Sequence, residues 1–528
     1  MKERMRRGCA MVVLGLLALP AFAQQLGHVP AHVAPKPPEA LAAYFAQVRQ
    51  AEQITDPEKR CLAYPDLPGN QWPAGAAEWR CLMLRAPVLP LEEIEARLAT
   101  PDGAAWLEQR LEALLEANYN DPRERDRLFP VFNLFDSSER AGNIATLWLR
   151  QMPQSPFALT AMGKHRAAQG WDARGGAYIS KTSEAQLKRM SQLFAGAAPL
   201  LAEALEREPR LTPACLALAG IGRQSSDALQ QQALAQCLSA DPASYDVVWE
   251  WMTAAMPKWG GSLRAMNQVG AHVLQHGPEN PKLYSLLAEP PGYEAAQMDT
   301  YAEGREGFVA ASRAGPGARM MTSAGRAYWA KDDSWTALVY FSQALRFWPR
   351  SQEVGRLRGV VLQQLGDYAW ALEDLLPTVA ADSEDMNTDA DMDIRMDAQY
   401  AIGHALLSLN RIEESRPYFL RARQHPAHEL NALENYCFTY VYTAEAAGTQ
   451  QARDCTAELV KRRPSHAMSW FWRYQALVAA RDERWVEAAG QFVLHADPND
   501  SWQQSVKKEM LAGGVQPARS VGEKQAKP

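Results

Sequence analysis

Small, aromatic and proline residues recur at an interval of 34 residues in the last third of the chain, and this spacing constrains the fold strongly. Gly325 and Tyr328 begin the first copy, Gly359 stands at the position equivalent to Gly325, and Gly403 follows after a small insertion. Small residues let two helices approach closely, and Pro349 stops the helix before it. Each copy therefore predicts two helices joined by a turn, and the recurrence predicts a stack of such hairpins.

Three copies are clear and two are less regular. The first contains Gly325, Tyr328, Ala337, Phe341, Ala344 and Pro349. The second contains Gly359, Leu362, the turn Gly366-Asp367-Tyr368, Ala371 and Leu375. The third contains Gly403, Leu406, Ser415, Phe419 and Ala422, and ends near Pro426. The less regular copies are Leu433–Pro464 and Trp470–Pro498.

This pattern resembles the tetratricopeptide repeat, and the resemblance covers residues 318–498. It implies an all-α, helical-hairpin solenoid, wound as a right-handed superhelix whose concave face is formed by the first helix of each hairpin. It also implies a binding scaffold for a protein or peptide partner. It implies neither catalysis nor a cofactor.

First-helix positions that the register turns toward the concave face hold arginine, aromatic and polar residues. They are Arg319, Arg326, Trp329, Arg356, Gln363, Tyr400 and His404. Arginines beside an aromatic ring could hold a peptide carboxylate through paired hydrogen bonds and stacking. The set departs from the lysine and asparagine clamp of repeat domains that bind acidic C-terminal peptides, so that ligand is not implied. A solvated helix surface explains the arginines equally well.

The chain before the repeats is also predicted to be helical, with an N-terminal helical region over 39–124 and an irregular helical domain over 125–290. Two motifs mark the second region, Trp171–Gly176 and Met256–Ser262, and each puts a tryptophan and a basic residue beside paired glycines. The region resembles an uncharacterised domain of bacterial helical proteins, which implies no known activity.

The two glycine motifs supply a second set of candidate binding residues. These are Trp171, Arg174, Lys258 and Trp259. They could form a pocket for an anionic or aromatic group, with the glycines permitting close backbone approach. Alternatively, the tryptophans cover hairpin corners and the arginine caps helix carbonyls.

The first 23 residues have the pattern of a signal peptide. Basic residues open the segment, an apolar run spans Met11 to Leu19, and Ala21-Phe22-Ala23 forms an A-x-A cleavage site. The apolar run is too short to span a bilayer. We therefore expect export to the periplasm, with secretion from the cell as the alternative. Proline-rich residues 24–38 are predicted to form a flexible arm, and residues 512–528 a disordered tail.

Charge and motif content exclude some functions and leave others open. Removal of the leader takes four of the 55 basic residues and one of the 61 acidic residues, which leaves a net charge of −9. This disfavours nucleic-acid binding, which needs a basic surface. The acidic run Asp385–Asp393 resembles the start of a calcium loop, but Ala390 and Met396 replace the glycine and glutamate that such a loop needs. No metal site is predicted, and no catalytic motif is present, although a spatially assembled triad needs no local motif.

Six cysteines remain after the leader, and they form three pairs that are close in sequence: Cys61 with Cys81, Cys215 with Cys237, and Cys437 with Cys455. An even count in an exported protein favours disulfides. The second and third pairs are each symmetric about a turn, which would bring two cysteines to the same height on antiparallel helices. The first pair would close a proline- and glycine-rich loop. Buried free thiols are the alternative.

These features together predict an exported, non-catalytic scaffold that binds a protein or peptide along a helical-repeat groove. The alternative is an envelope hydrolase or carbohydrate-binding protein whose site lies in the tryptophan-rich region 125–290. The sequence does not identify the partner or the oligomeric state.

Overall fold

A computed structural model describes residues 34–176, 181–380, 389–443 and 446–518. The predicted signal peptide, residues 24–33 of the predicted arm, residues 385–388 of the acidic run and residues 519–528 of the predicted tail lie outside these ranges.

The chain divides into two compact units, an N-terminal unit, Pro38–Pro349, and a C-terminal unit that begins at Arg350. Within the described residues both are all-α, without a strand, and the predicted fold class is confirmed. The N-terminal unit contains α1 Glu39–Glu52, α2 Pro57–Ala63, α3 Ala76–Leu82, α4 Leu91–Leu98, α5 Gly103–Asn120, α6 Leu128–Asn133, α7 Glu139–Gln151, α8 Pro156–Arg174, α9 Glu184–Arg207, α10 Thr212–Ser225, α11 Asp227–Ala240, α12 Tyr245–Ala254, α13 Leu263–His276, α14 Glu289–Ala295, α15 Arg305–Ala314, α16 Ala318–Trp329, α17 Ser334–Phe347, and the 3₁₀ helices Pro257–Trp259 and Pro281–Ala288. The C-terminal unit contains α18 Gln352–Leu365, α19 Tyr368–Ala380, α20 Asp389–Ser408, α21 Ile412–Ala422, α22 Glu429–Val441, α23 Gln450–Arg462, α24 Ala467–Ala479, α25 Trp485–His495 and α26 Ser501–Ala512.

Consecutive helices pack as hairpins, and the glycine of each clear repeat lies against a side chain of the second helix. A Cβ atom built on Gly359 would lie 2.6 Å from Leu375 Cγ, which is closer than real contacts allow. The equivalent atom on Gly325 would lie 2.6 Å from the ring of Phe341. The repeat register therefore corresponds to a real steric requirement.

The N-terminal unit is closed by contacts between its first and last helices. Arg346 on α17 is 4% exposed. It donates hydrogen bonds to the carbonyl oxygen of Cys61 at 2.9 Å, to that of Pro65 at 3.3 Å and to Asp66 Oδ1 at 2.7 Å. Buried Gln343 also donates to the Pro65 oxygen, at 2.6 Å. The segment between α2 and α3 is thus held to a helix almost 300 residues later in the sequence.

The three predicted cysteine pairs lie at bonding distance, with sulfur–sulfur separations of 2.00, 2.09 and 1.96 Å in chain order. Cys215 and Cys237 join α10 to α11, and Cys437 and Cys455 join α22 to α23. The remaining pair joins α2 to α3 on either side of the predicted loop.

In the C-terminal unit, the first helices of successive hairpins form a row. Helix α18 contacts α20, α20 contacts α22, and α22 contacts α24. Their partners α19, α21, α23 and α25 pack behind them as the second helices. After α26, the backbone N–H of Ala518 donates to the carbonyl oxygen of Gly490 at 3.0 Å. The predicted tail therefore begins with a short segment that is held against α25.

Candidate functional sites

The seven candidate groove residues belong to different units. Helix α16 of the N-terminal unit carries three of them, and helices α18 and α20 of the C-terminal unit carry four. Each set is therefore described within its own unit.

The arginines of α16 are engaged within the N-terminal unit. Arg319 forms an ion pair with Glu289, a carboxylate that is 5% exposed. Burial raises the pKa of Glu289, and the charge of Arg319 opposes this rise. Arg326 places its guanidinium 5.3 Å from the ring centre of Tyr301, and Trp329 is half-buried. Both contacts lie within the N-terminal unit, so these two arginines contribute to the packing of that unit.

In the C-terminal unit, Asp397 links Arg356 on α18 to His428 at the start of α22. One carboxylate oxygen lies 3.1 Å from Arg356 Nη1, and the other lies 2.6 Å from His428 Nε2. Burial raises the pKa of Asp397, but the hydrogen bond from His428 and the charge of Arg356 outweigh it and lower the pKa. The carboxylate is thereby kept ionised between two positive or proton-donating groups.

Tyr400 extends this link with aromatic and amide contacts. Its ring stacks on His428 with centres 4.9 Å apart and planes 11° apart. Its hydroxyl accepts a hydrogen bond from Asn435 Nδ2 at 3.3 Å. We call these five residues, Arg356, Asp397, Tyr400, His428 and Asn435, the first-helix surface, because they come from α18, α20 and α22 or its N-terminus.

The other two candidates of this unit are not hydrogen-bonded to the first-helix surface through their side chains in the described residues. Gln363 is half-buried near the end of α18. The Nδ1 atom of His404 is buried and has no hydrogen-bond partner within the described ranges, and burial lowers the pKa of the ring. His404 lies 6.2 Å from the ring of Tyr368.

Sequence reasoning missed Asp397, His428 and Asn435. Asp397 could have been found, since it lies three positions before Tyr400 and therefore on the same face of α20. His428 and Asn435 gave no such signal, because His428 lies between two copies of the repeat and Asn435 lies in a less regular copy.

The second candidate set is organised by a residue that sequence reasoning also missed, Arg223 at the end of α10. Its guanidinium carbon lies 5.4 Å from the ring centre of Trp171 and 4.9 Å from that of Trp259. Its Nη1 atom binds Glu250 Oε1 on α12 at 2.7 Å. Burial raises the pKa of Glu250, and Arg223 opposes this rise. We call these four residues the Trp–Arg–Trp cluster.

The two basic candidates of the second set, Arg174 and Lys258, have different surroundings. Arg174 Nε donates to Gln224 Oε1 at 3.0 Å, and Nη1 donates to the carbonyl oxygen of Gly175 at 3.0 Å. Lys258 is exposed on the 3₁₀ helix that carries Trp259. Arg174 therefore donates to a backbone carbonyl and to a neighbouring amide side chain, and Lys258 lies at the surface.

A third cluster of charged groups, in the N-terminal unit, gave no sequence signal. Lys164 on α8 donates to Asn133 Oδ1 at 2.5 Å, and burial lowers its pKa to about 8. Burial and the charge of Asp126 raise the pKa of Asp246 to about 7, while Lys164 and Lys282 oppose the rise. Asp126 itself accepts hydrogen bonds from Ser244 Oγ at 2.9 Å and Asn280 Nδ2 at 2.8 Å. This cluster joins several segments of the unit.

Across the described ranges, no group of three or more histidine, cysteine or acidic side chains is placed to hold a metal ion. In the same residues, no helix is both long enough and apolar enough to cross a bilayer.

Comparison with known proteins adds little to these contacts. No family model and no curated protein match the chain. The tetratricopeptide-repeat domain of P58(IPK) is 10% identical with a TM-score of 0.23, over 76% of this chain and 98% of that one. A chain of the Cut9–Hcn1 hetero-tetramer of the APC/C is 11% identical with a TM-score of 0.30, over 90% and 97%. Because both TM-scores are low, the description of the hairpin fold depends on the chain's own contacts.

Proposed function

We propose that the protein is an exported scaffold that binds a protein or peptide partner on the first-helix surface of its C-terminal unit. The observation that carries this proposal is the linked set of polar and aromatic side chains across three neighbouring first helices.

The linked contacts fix side-chain positions before a partner arrives. Asp397 holds both Arg356 and His428, and His428 in turn stacks on Tyr400. Side chains that are already ordered lose less entropy on binding, so more of the contact energy contributes to affinity.

The same side chains keep part of their surface accessible. The Asp397 side chain is 40% exposed and can accept a hydrogen bond from a peptide N–H. Tyr400 and Asn435 are half-buried and offer a ring edge and an amide. A partner carboxylate would compete with Asp397 for Arg356, so we favour recognition of peptide amides over recognition of a free carboxylate.

Two features support export to the periplasm. One is the leader pattern at residues 1–23. The other is the set of three cysteine pairs at bonding distance, since disulfides form and persist in oxidising compartments. A mature net charge of −9 adds no basic surface for nucleic acid.

The proposal is tested by exchanging the charges of one ion pair. In the double variant Arg356→Asp and Asp397→Arg, an ion pair can still form, but each charge stands where the other was. We expect capture of the partner from envelope extract to fall at least tenfold. The single variants Arg356→Glu and Arg326→Glu show which of the two units carries the binding surface.

A matched control exchanges an exposed ion pair at the start of the second helix α21. Arg411 and Glu414 lie 2.7 Å apart, and their side chains are 47% and 59% exposed. The double variant Arg411→Glu and Glu414→Arg should leave capture unchanged. Equal capture by both double variants would rule out the first-helix surface as the binding site.

A further inference from the structure

Three aromatic side chains continue the first-helix surface of the C-terminal unit from α22 onto α24. Phe438 on α22 contacts Trp472 on α24, with ring centres 4.9 Å apart and ring planes at 70°. Tyr442 lies four positions after Phe438, and the centres of these two rings are 5.1 Å apart. All three side chains are half-buried. We call Phe438, Tyr442 and Trp472 the aromatic patch.

Phe438 lies on the side of α22 that faces away from the second helix α21. Tyr436 packs against the buried cluster that contains Phe419 of α21. The guanidinium of Arg416, also on α21, lies 4.3 Å from the ring centre of Tyr440. Phe438 is two positions from each of these tyrosines, which is about 200° around the helix axis. Its ring therefore points to the same side of the hairpin as the first-helix surface.

Two amide side chains beside the patch keep hydrogen-bonding capacity. Asn435, three positions before Phe438, donates to the Tyr400 hydroxyl through Nδ2, and its Oδ1 atom accepts no hydrogen bond within the described residues. Gln475, three positions after Trp472, is half-buried, and its side chain makes no hydrogen bond in the part of the chain that the structure describes. Residues three apart share one face of a helix, so each amide lies beside a ring of the patch.

The chemistry of these side chains indicates what can cover them. The rings offer apolar surface, whereas an amide presents a donor and an acceptor side by side, as a peptide backbone does. The nearest acidic residue on this face of α22, Glu434, is already paired with Arg463. An apolar patch with polar neighbours is typical of protein interaction sites. This combination favours an uncharged, apolar side chain with a backbone that has free N–H and C=O groups.

We propose that the aromatic patch holds one large apolar side chain, of leucine or phenylalanine size, from an extended segment of the partner whose backbone bonds Asn435 and Gln475. An extended segment leaves its backbone groups free for these amides, whereas a helix pairs them internally. This inference rests on the proposed function and adds the chemistry of the partner segment.

Defined peptides test this chemistry directly. The mature protein is immobilised and used to select from a library of short random peptides displayed on phage. The most enriched peptide is synthesised with a fluorescent label, and its Kd is measured by anisotropy. We expect the enriched peptides to share one large apolar residue, and its replacement by serine to weaken binding by about tenfold or more. Methylation of a neighbouring backbone nitrogen should also weaken binding, because it removes a donor.

Variants of the protein locate the binding site of the labelled peptide. Phe438→Ser should weaken binding by about tenfold or more, and Phe438→Leu, which keeps an apolar side chain, should weaken it less. Gln475→Ala serves if Phe438→Ser does not fold, and it should also raise the Kd. The matched control is Leu420→Ser, since Leu420 is an apolar residue of the second helix α21 that is 44% exposed. This control should leave the Kd unchanged.

Several results would overturn the inference. One is the absence of enriched peptides, and another is a set of enriched peptides that share no apolar residue. An unchanged Kd in the folded Phe438 and Gln475 variants would also overturn it. A dimer in sedimentation that is lost in Phe438→Ser would assign the patch to a second copy of the chain, against this inference.

The Arg356 and Asp397 charge exchange separates this inference from the proposed function. Peptide binding that is lost in the exchange but unchanged in Phe438→Ser would contradict only the role of the aromatic patch. Peptide binding that is lost in Phe438→Ser but unchanged in the exchange would contradict only the role proposed for Arg356 and Asp397.

Discussion

Replacing Arg346 by methionine tests how the N-terminal unit is closed. Methionine keeps most of the volume of the side chain but removes its donors to Cys61, Pro65 and Asp66. The carbonyl of Cys61 loses its arginine donor, at a cost of about 1–3 kcal/mol for an unsatisfied buried group.

The other two contacts contribute less to the total. Gln343 still donates to the carbonyl oxygen of Pro65, at 2.6 Å. The side chain of Asp66 is 53% exposed and can turn to water, so its ion pair is worth about 1 kcal/mol at most. With the loss of the packed guanidinium, we expect a destabilisation of about 3 kcal/mol.

Hydrogen exchange followed by mass spectrometry measures this change locally. The segment between α2 and α3 should open more often by a factor on the order of a hundred, because each 1.4 kcal/mol is about tenfold. Arg140→Met is the matched control. Arg140 pairs with Glu92 at 2.9 Å and Glu95 at 2.6 Å, but its side chain is 48% exposed. Because an exposed ion pair contributes little to stability, the control should leave hydrogen exchange nearly unchanged. Small and equal effects in both variants would refute the reasoning.

Three further predictions follow from particular contacts. Gly359→Ala should destabilise the C-terminal unit by about 1–3 kcal/mol in urea unfolding, because the new methyl group meets Leu375. Gly355→Ala on the same helix, where a Cβ atom has its nearest neighbour at 3.4 Å, should be neutral or slightly stabilising. A Gly355→Ala variant that is less stable than Gly359→Ala would contradict this account of the helix contact. The raised pKa of Asp246, about 7, means that the folded state binds more protons than the unfolded state between pH 4 and 7. The free energy of unfolding should therefore fall as the pH rises from 4 to 7, by about 2 kcal/mol after allowance for screening. Because the pKa of Lys164 is lowered to about 8, the free energy of unfolding should rise again as the pH rises from 8 to 10.5. Asp246→Asn should flatten the dependence of the unfolding free energy on pH between pH 4 and 7. An unchanged dependence in this variant would exclude Asp246 as its origin. Denatured, unreduced mature protein should contain no titratable thiol, and two or more thiols would contradict the three-disulfide scheme.

The sequence predicted those parts of the fold that depend on local spacing. Gly359 and Leu375 stand in the same relation as Gly325 and Phe341, so helix pairs and their closest contacts could be derived from the register. The symmetric placement of Cys215 and Cys237 about one turn likewise followed from the rise of a helix.

What could not be predicted depends on contacts between distant parts of the chain. Nothing near Arg346 indicates that its acceptors lie 280 to 285 residues earlier. Arg223 stands alone in its segment, and only the fold brings it between the two tryptophans. The ion pair of Arg319 could not be predicted either, because its partner Glu289 becomes a buried carboxylate only in the folded unit.

The most direct test of the proposed function is photo-crosslinking from the first-helix surface in the native cell envelope. A photoreactive phenylalanine analogue replaces Tyr400 in one strain and Glu413, an exposed residue of α21, in another. We predict a discrete crosslinked adduct from position 400 that is absent from position 413 and is lost in the Arg356 and Asp397 charge exchange. Adducts of equal yield from both positions, or adducts from position 413 alone, would contradict the proposal that the partner binds the first-helix surface.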